Sequence, residues 1–186
     1  MLFRSWGVSE ADVDAKLLGL IPKETAVDLG LLASPMGVLV SLTTKAGGAR
    51  PVSEAQLSSL AQEVRSRLKD CLFAEGRETM EEVVGRLLIE RKFTVAVAES
   101  CTGGLIGHRL TLVPGSSAYV DRGAITYSNQ SKVEMLGVPE ALLATHGAVS
   151  AEVAAAMARG IRERAGTSVG LSVTGIAGPG GATDTK

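Results

Sequence analysis

The chain is poor in aromatic residues, which make up 3% of the sequence, and it contains two cysteines and two histidines. Two cysteines, Cys71 and Cys101, cannot build the disulfide framework that staples small secreted domains. The two histidines, His108 and His146, lie far apart and show no metal-ligand spacing, so we predict neither a structural metal nor a cofactor. The core of such a chain must be built from Val, Leu, Ile, Ala and Met.

The sequence also lacks a basic run and a long apolar run. With a formal net charge of −1 and no Lys/Arg stripe, a nucleic-acid partner has no electrostatic support. The longest apolar segments are too short to span a membrane, and no charged-then-apolar signal segment opens the chain. We therefore expect a cytoplasmic protein that binds neither nucleic acid nor a membrane.

Residues 1–75 show the pattern of a small α+β domain. Apolar residues at helical spacing predict a helix over 9–20, and alternation of apolar residues predicts a strand over 36–43. Gly47 and Gly48 predict a turn, after which a capping signal at Ser53 predicts a second helix. A domain of this size has a small core for its surface.

The sequence predicts a second domain over residues 76–186. The segment Phe73–Arg77 is predicted to connect the two domains. A helix is predicted from Thr79 to about Arg91. The predicted strands, each followed by a helix or a loop, cover residues 93–98, 122–127 and 168–173. The first of these is almost continuously apolar, as in a strand that is buried on both faces of a sheet. Strands that alternate with helices predict a layered α/β domain.

Ser100 is the first candidate for chemistry, because it lies between a predicted strand and a predicted helix. Such a turn projects a side chain at the carboxyl edge of the sheet, beside backbone N–H groups that can bind an anion or an oxyanion. Ser100 is therefore a candidate nucleophile, although serine is also a common helix N-cap. The neighbouring Cys101 is a second candidate, since thiols at helix N-termini ionise readily. The spacing of the residues does not decide whether Ser100 or Cys101 is the nucleophile, or whether Ser100 is only a cap.

A nucleophilic serine needs a base, and Lys132 follows a predicted strand end. A lysine removed from water can lose its proton and then deprotonate serine, whereas most helical lysines are solvated surface residues. The glycine-rich segment Thr174–Gly181 follows the third predicted strand. If the strands are parallel, this segment shares an edge with Ser100, where glycine-rich loops commonly bind phosphate. A flexible loop is the alternative.

Five short motifs in this half of the chain resemble, in order and spacing, the C-terminal amidohydrolase domain of the CinA family. They are Ala98–Gly104, Pro114–Ser117, Thr126–Asn129 with Lys132, His146–Ser150 and Thr174–Gly181. One such motif is weak evidence, but five in the family's order are highly specific.

The resemblance implies that the domain hydrolyses the carboxamide of nicotinamide mononucleotide. The products are nicotinate mononucleotide and ammonia, in pyridine-nucleotide salvage. It implies a serine–lysine mechanism without metal, in which Ser100 attacks the amide carbon, Lys132 accepts its proton, and Tyr127 assists proton transfer or orients the pair. Backbone N–H groups near Thr102–Gly104 would hold the oxyanion, and the glycine-rich loop would line the ribose-phosphate site. The implied substrate-binding residues are Thr102, Gly103, Gly104, Gly175, Gly178 and Gly180.

The resemblance also implies a fold for both parts of the chain. The catalytic domain would be a three-layer α/β/α domain with a mixed, largely parallel sheet that continues past Lys186, so we expect it to be truncated here. Residues 1–75 resemble, more loosely, the small KH-type domain that precedes it. They lack the G-x-x-G loop of a nucleic-acid-binding KH module, so we interpret them as structural. We expect a homodimer that takes a small-molecule nucleotide as substrate.

Two other functions fit the same residues. The chain could be a non-catalytic nucleotide- or partner-binding module, in which the glycine-rich loop binds phosphate and Ser100 is only a helix cap. It could also be a cysteine hydrolase that uses Cys101 as its nucleophile. Measurement of turnover distinguishes a binding module from an enzyme. Substitution of Ser100 and of Cys101 in turn distinguishes a serine hydrolase from a cysteine hydrolase.

Overall fold

The computed structural model of the protein describes residues 1–22, 25–44, 52–178 and 180. The chain divides into two compact units, Met1–Val83 and Val84–Lys186. The boundary expected from the sequence, between residues 75 and 76, lies earlier in the chain than this division. The predicted turn at Gly47 and Gly48 and the predicted loop over 182–186 lie outside the described residues.

The first unit is built on a four-stranded antiparallel sheet with two helices. Its elements are β1 (Leu2–Ser5), α1 (Glu10–Leu17), β2 (Val27–Ser34), β3 (Gly37–Thr44), α2 (Glu54–Leu68) and β4 (Leu72–Glu75). The strand order is β2-β3-β1-β4, and every neighbouring pair is antiparallel. This β-α-β-β-α-β arrangement is the ferredoxin-like, split β-α-β topology. The expected small α+β domain is confirmed.

One face of this sheet packs against both helices. Alternation along β3 buries Val38, Val40 and Leu42, as a strand with one covered face requires. The same core contains Phe3, Val13, Leu17, Leu20, Val27, Ala61, Val64 and Leu68. One expectation is wrong, because Phe73–Arg77 is not wholly a connection: it begins within β4, which pairs with β1. A four-residue edge strand has too few alternating positions to be recognised in a sequence.

The second unit follows the predicted alternation of helices and strands. Its elements are α3 (Met80–Arg91, which begins in the first unit), β5 (Val95–Glu99), α4 (Leu105–Thr111), β6 (Val120–Ile125), α5 (Asn129–Leu136), α6 (Glu140–His146), α7 (Ala151–Ala165) and β7 (Val169–Val173). The side chain of Ser150 caps α7, and left-handed Gly166 ends it. None of the helices in the described ranges is long and apolar enough to cross a membrane.

β5 is the central strand of a three-stranded parallel sheet with the order β6-β5-β7. All five of its residues are buried, as the continuous apolar run predicted. Ala96 and Ala98 pack towards α5, α6 and α7 on one face. Val95 and Val97 pack towards α3 and α4 on the other. The layered α/β fold is therefore confirmed, and the three strands that the structure describes in this unit are parallel.

The three parallel strands end at one edge, where backbone hydrogen bonds join them. The N–H of Ser100, just after β5, donates to the carbonyl of Val173 at the end of β7, at 3.0 Å. The N–H of Thr126, just after β6, donates to the carbonyl of Glu99 at 2.7 Å. Sites in open α/β sheets form outside such carboxyl ends. The segments that the sequence singled out therefore meet where this fold places its sites.

Candidate active site

Ser100 and Lys132 lie side by side, although 32 positions separate them in the chain. Lys132 Nζ is 3.1 Å from Ser100 Oγ, which is hydrogen-bonding distance. Ser100 is 7% exposed and Lys132 is 1% exposed. The structure thus brings together Ser100, the candidate nucleophile, and Lys132, the candidate base. Lys132 is a buried residue of a helix, not the solvated surface lysine that was the alternative.

Two backbone carbonyls fix the amine of Lys132. Lys132 Nζ donates to the carbonyl of Thr126 at 2.7 Å and to the carbonyl of Tyr127 at 3.1 Å. A neutral amine has two N–H donors and one lone pair. When the two carbonyls accept both N–H groups, the lone pair remains for the hydroxyl proton of Ser100. In the neutral state Lys132 is therefore arranged as a base for Ser100.

The protonation of Lys132 favours the same role. Burial lowers the pKa of the Lys132 amine below its ordinary value, and the nearby Cys101 side chain acts in the opposite direction. No acidic side chain is hydrogen-bonded to Nζ among the residues that the structure describes. A buried ammonium without a carboxylate partner is costly, so the neutral amine gains relative to the charged one.

The carboxylate of Glu99, the residue before the nucleophile, is also buried and holds the turn together. It accepts hydrogen bonds from the hydroxyl of Thr102 at 2.6 Å and from the N–H groups of Gly104, Ile106 and Gly107 at 3.0, 3.1 and 2.8 Å. Burial by itself would raise the pKa of the Glu99 carboxyl. These hydrogen bonds outweigh burial and hold that pKa below its ordinary value, so Glu99 is an anion at neutral pH.

These contacts correct the expected set of oxyanion donors. The N–H of Gly103 donates to the carbonyl of Ser100, and the N–H of Gly104 donates to Glu99. Both donors are therefore engaged within the protein. In the described part of the chain, the N–H groups of Cys101 and Thr102 have no hydrogen-bond acceptor. Of the expected segment, only the N–H of Thr102 remains, and that of Cys101 joins it.

Tyr127 takes part through its backbone. Its carbonyl accepts a hydrogen bond from Lys132, which orients the amine, while its ring is on the surface, 69% exposed. Neither His108 nor His146 is hydrogen-bonded to the dyad within the described ranges, and His146 lies 3.6 Å from a carboxylate oxygen of Glu152. No histidine base competes with Lys132 there.

The glycine-rich segment begins directly beside the Ser100 turn. A Cβ built at Gly175 would lie 3.1 Å from Cys101 Sγ, a tight contact, so the chain passes close over that thiol because residue 175 has no side chain. Cys101 therefore lies under this segment, while Lys132 meets Ser100. Gly178 and Gly180 are exposed, and a Cβ built at either would have no described atom within 4 Å.

Two residues of the site were not assigned a role from the sequence. Glu99 lies within the motif Ala98–Gly104, and Thr126 lies within the predicted strand over 122–127. The signal for Glu99 was available: an acidic side chain just before a helix start can bind the free N–H groups of its first turn. No such signal marked Thr126, whose carbonyl reaches Lys132 because the chain turns back from the end of β6 into α5.

The buried amine predicts a specific dependence of stability on pH. Below the lowered pKa of Lys132, the folded and unfolded states both carry the proton, and the folded state bears the full cost of a buried charge. Between that pKa and the ordinary value of 10.5, the unfolded state binds more protons, so the free energy of unfolding rises with pH. We expect the unsubstituted protein to gain stability across this range relative to Lys132→Met.

Urea unfolding from pH 7 to 10.5 measures this difference, and the upper limit is the ordinary pKa of lysine. All the proteins compared, including the reference with Lys132 intact, should carry Cys101→Ser, which removes the thiol beside the amine. Lys69→Met, at an exposed lysine that caps α2, is the control and should follow the unsubstituted protein at every pH. Parallel curves for the unsubstituted protein and Lys132→Met would contradict a depressed pKa.

Comparison with known families covers nearly the whole chain. The model of the CinA C-terminal domain matches residues 77–186, and that of the damage-inducible protein CinA KH domain matches residues 2–74. A CinA-like protein of Citrifermentans bemidjiense is 48% identical over 181 residues, which is 97% of this chain and 42% of that protein. A CinA-like protein of Syntrophus aciditrophicus is 46% identical, over 99% of this chain and 44% of its own length. The chain thus spans less than half the length of these relatives.

Solved structures agree with the sequence matches. The competence/damage inducible protein CihA of Agrobacterium tumefaciens is 44% identical with a TM-score of 0.52, covering 61% of this chain and 71% of that one. A competence or damage-inducible protein of Enterobacter asburiae is 31% identical with a TM-score of 0.54, covering 58% and 70%. The chain therefore belongs to the CinA family, with the family's KH domain followed by its C-terminal domain.

Proposed function

We propose that this protein hydrolyses the carboxamide of nicotinamide mononucleotide to nicotinate mononucleotide and ammonia. The observation that carries the proposal is the buried contact of 3.1 Å between Ser100 Oγ and Lys132 Nζ, with two carbonyls taking the N–H groups of the amine. A helix cap has no need of a desolvated lysine. The substrate in this proposal is the one that the resemblance implies, and the arrangement of the dyad suits the hydrolysis of an amide.

In the first half of the reaction, Ser100 Oγ attacks the carboxamide carbon while its proton passes to Lys132 Nζ. The carbonyl oxygen becomes an oxyanion, for which the N–H groups of Cys101 and Thr102 are the donors that the turn leaves available. Collapse of the tetrahedral intermediate breaks the C–N bond. Lys132, now an ammonium, gives its proton to the departing nitrogen, which leaves as ammonia.

In the second half, water replaces ammonia at the ester formed on Ser100. Lys132, neutral again, removes a proton from the water as it attacks the ester carbon, and then returns that proton to Ser100 Oγ. The carboxylic acid formed in this way releases its remaining proton to solvent, and nicotinate mononucleotide leaves as the carboxylate. The carbonyl of Tyr127 orients Lys132 through both halves, and the segment from Gly175 is suited to line the ribose-phosphate site.

The test is turnover of the nucleotide beside two truncated compounds. We expect the purified protein to release ammonia from nicotinamide mononucleotide and to form nicotinate mononucleotide, seen as a mass increase of about 1 Da from replacement of NH₂ by OH. Nicotinamide riboside, which lacks the phosphate, and free nicotinamide should both react with a much lower kcat/KM, because remote binding energy contributes to the rate.

Two other outcomes favour the competing functions. Calorimetric binding of nicotinamide mononucleotide without ammonia release, by the full-length protein, would favour a non-catalytic nucleotide-binding module. Loss of turnover in Cys101→Ser, with turnover retained in Ser100→Ala, would identify a cysteine hydrolase. We expect the reverse pattern, because Ser100 rather than Cys101 is hydrogen-bonded to Lys132.

A further inference from the structure

Buried polar side chains are concentrated at this one site. The structure describes five polar or charged residues that are buried, and four of them belong to the site: Glu99, Ser100, Thr126 and Lys132. Ser100 and Lys132 form the dyad, and the backbone of Thr126 binds the amine. The proposed reaction leaves Glu99 without a role, although the residue is 2% exposed and its carboxylate accepts four hydrogen bonds.

We infer that Glu99 is a positioning residue, whose carboxylate fixes the turn of Ser100 and determines which backbone N–H groups remain open to the oxyanion. The inference rests on the proposed function. Glu99 reaches over the turn, from the residue before Ser100 to the hydroxyl of Thr102 and the N–H of Gly107. The main chain of residues 100–104 is thereby held from both ends. Ser100 Oγ cannot leave Lys132 by a local rearrangement of the turn while those bonds persist.

The same bonds decide which N–H groups are available. Without the carboxylate, the N–H groups of Gly104, Ile106 and Gly107 would all lack an acceptor and would compete for any anion that enters the cleft. Glu99 satisfies these three donors and leaves those of Cys101 and Thr102. An oxyanion is therefore confined to one place, next to the nucleophile, as catalysis by preorganised donors requires.

Glu99 acts on geometry rather than on the charge of the base. It makes no hydrogen bond to Lys132, and Lys132 is held instead by Thr126 and Tyr127. Substitution of Glu99 should therefore lower kcat while KM and the pH midpoint of the reaction stay where they are. A role confined to folding would lower the amount of active protein but would not change the rate constants of the folded fraction.

Glu99→Gln is the sharpest substitution, because it keeps the shape of the side chain and removes the charge. Its carbonyl oxygen can replace the oxygen that accepts three bonds, but its NH₂ group then faces the N–H of Gly107, so one bond is lost and two donors oppose each other. Glu82→Gln is the matched control, since Glu82 likewise accepts from a backbone N–H and a hydroxyl, those of Thr79, at a helix start.

The reactivity of Ser100 can be measured without the nucleotide. A fluorophosphonate probe forms a bond from phosphorus to Ser100 Oγ and releases fluoride, and the labelled residue is identified by mass spectrometry. We expect Glu99→Gln to lower both the labelling rate and the kcat for nicotinamide mononucleotide by about 10²-fold, as for a misplaced nucleophile or a lost oxyanion donor. KM and the pH midpoint should be unchanged, and Glu82→Gln should react like the unsubstituted protein.

Each outcome decides the inference. Equal labelling rates and kcat values in Glu99→Gln and the unsubstituted protein overturn it, and so does a loss that matches the unfolded fraction measured by circular dichroism. Labelling of Ser100 in the unsubstituted protein without turnover of nicotinamide mononucleotide removes the proposed substrate, while the labelling rates still test Glu99. Absence of Ser100 labelling in the unsubstituted protein overturns both the nucleophile and the role of Glu99.

Discussion

Ser100→Ala, Lys132→Met and the double variant should all lose about the same activity towards nicotinamide mononucleotide, a factor of about 10⁴ in kcat/KM. Alanine removes the attacking oxygen, and methionine fills the space of Lys132 but cannot accept a proton. Neither side chain contributes to the rate without the other. Once one is substituted, substitution of the second should therefore reduce the activity little further. A factor of 10⁴ corresponds to about 5 kcal/mol of activation free energy, and the coupling energy of the double-mutant cycle should approach that value.

Matched controls separate this result from a general effect of removing serine or lysine. Ser58→Ala and Lys69→Met change an exposed serine of α2 and the exposed lysine that caps it, and both variants should keep full activity. Initial rates of ammonia release at several substrate concentrations give kcat and KM for each variant. Additive losses in the double variant would mean that Ser100 and Lys132 act separately, and full activity in either single variant would rule out the dyad.

The pair of Ser100 and Lys132 illustrates how much of the site can be predicted from the sequence. Ser100 was placed on a strand-to-helix turn by local pattern, and that placement is confirmed. Local pattern makes Lys132 a candidate base, and family resemblance selects it as the partner, because the contact depends on the neighbouring positions of β5 and β6 in the sheet, which no local pattern contains. The N–H groups that the turn leaves open differ from the expected oxyanion donors for a different reason. Which N–H groups stay free depends on which of them the carboxylate of Glu99 accepts hydrogen bonds from. The sequence does not show these contacts.

The fold was more predictable in the second unit than in the first. A continuous apolar run marks β5 and a capped helix marks α7, because a strand buried on both faces or a long amphipathic helix leaves a strong pattern. In the first unit, no strand is predicted for β2, whose burial does not alternate along its eight residues, or for β1 and β4, which have four residues each. Pairing with neighbours, rather than their own pattern, makes such short segments strands.

Gly160→Ala should destabilise the second unit, although alanine is the better helix former. Gly160 is buried on α7, and a Cβ there would lie 2.0 Å from the backbone carbonyl oxygen of Leu136, at the end of α5. Helix propensity favours alanine by about 1 kcal/mol, whereas overpacking costs about 3 kcal/mol, so the free energy of unfolding should fall by about 2 kcal/mol. The opposing atom belongs to the main chain, so a change of rotamer cannot relieve the contact.

The same substitution should also affect the site, because α5 carries Lys132. To accept a methyl group at Gly160, α5 and α7 must separate, and the distance of 3.1 Å from Lys132 Nζ to Ser100 Oγ should grow with that movement. Ala155→Gly, at an exposed position of α7, is the control: it should lose about 1 kcal/mol from helix propensity and no activity. Urea unfolding gives the stabilities, and kcat is measured well below the melting temperature. If Gly160→Ala is as stable and as active as the unsubstituted protein, the close approach of α7 to α5 does not hold Lys132 in place.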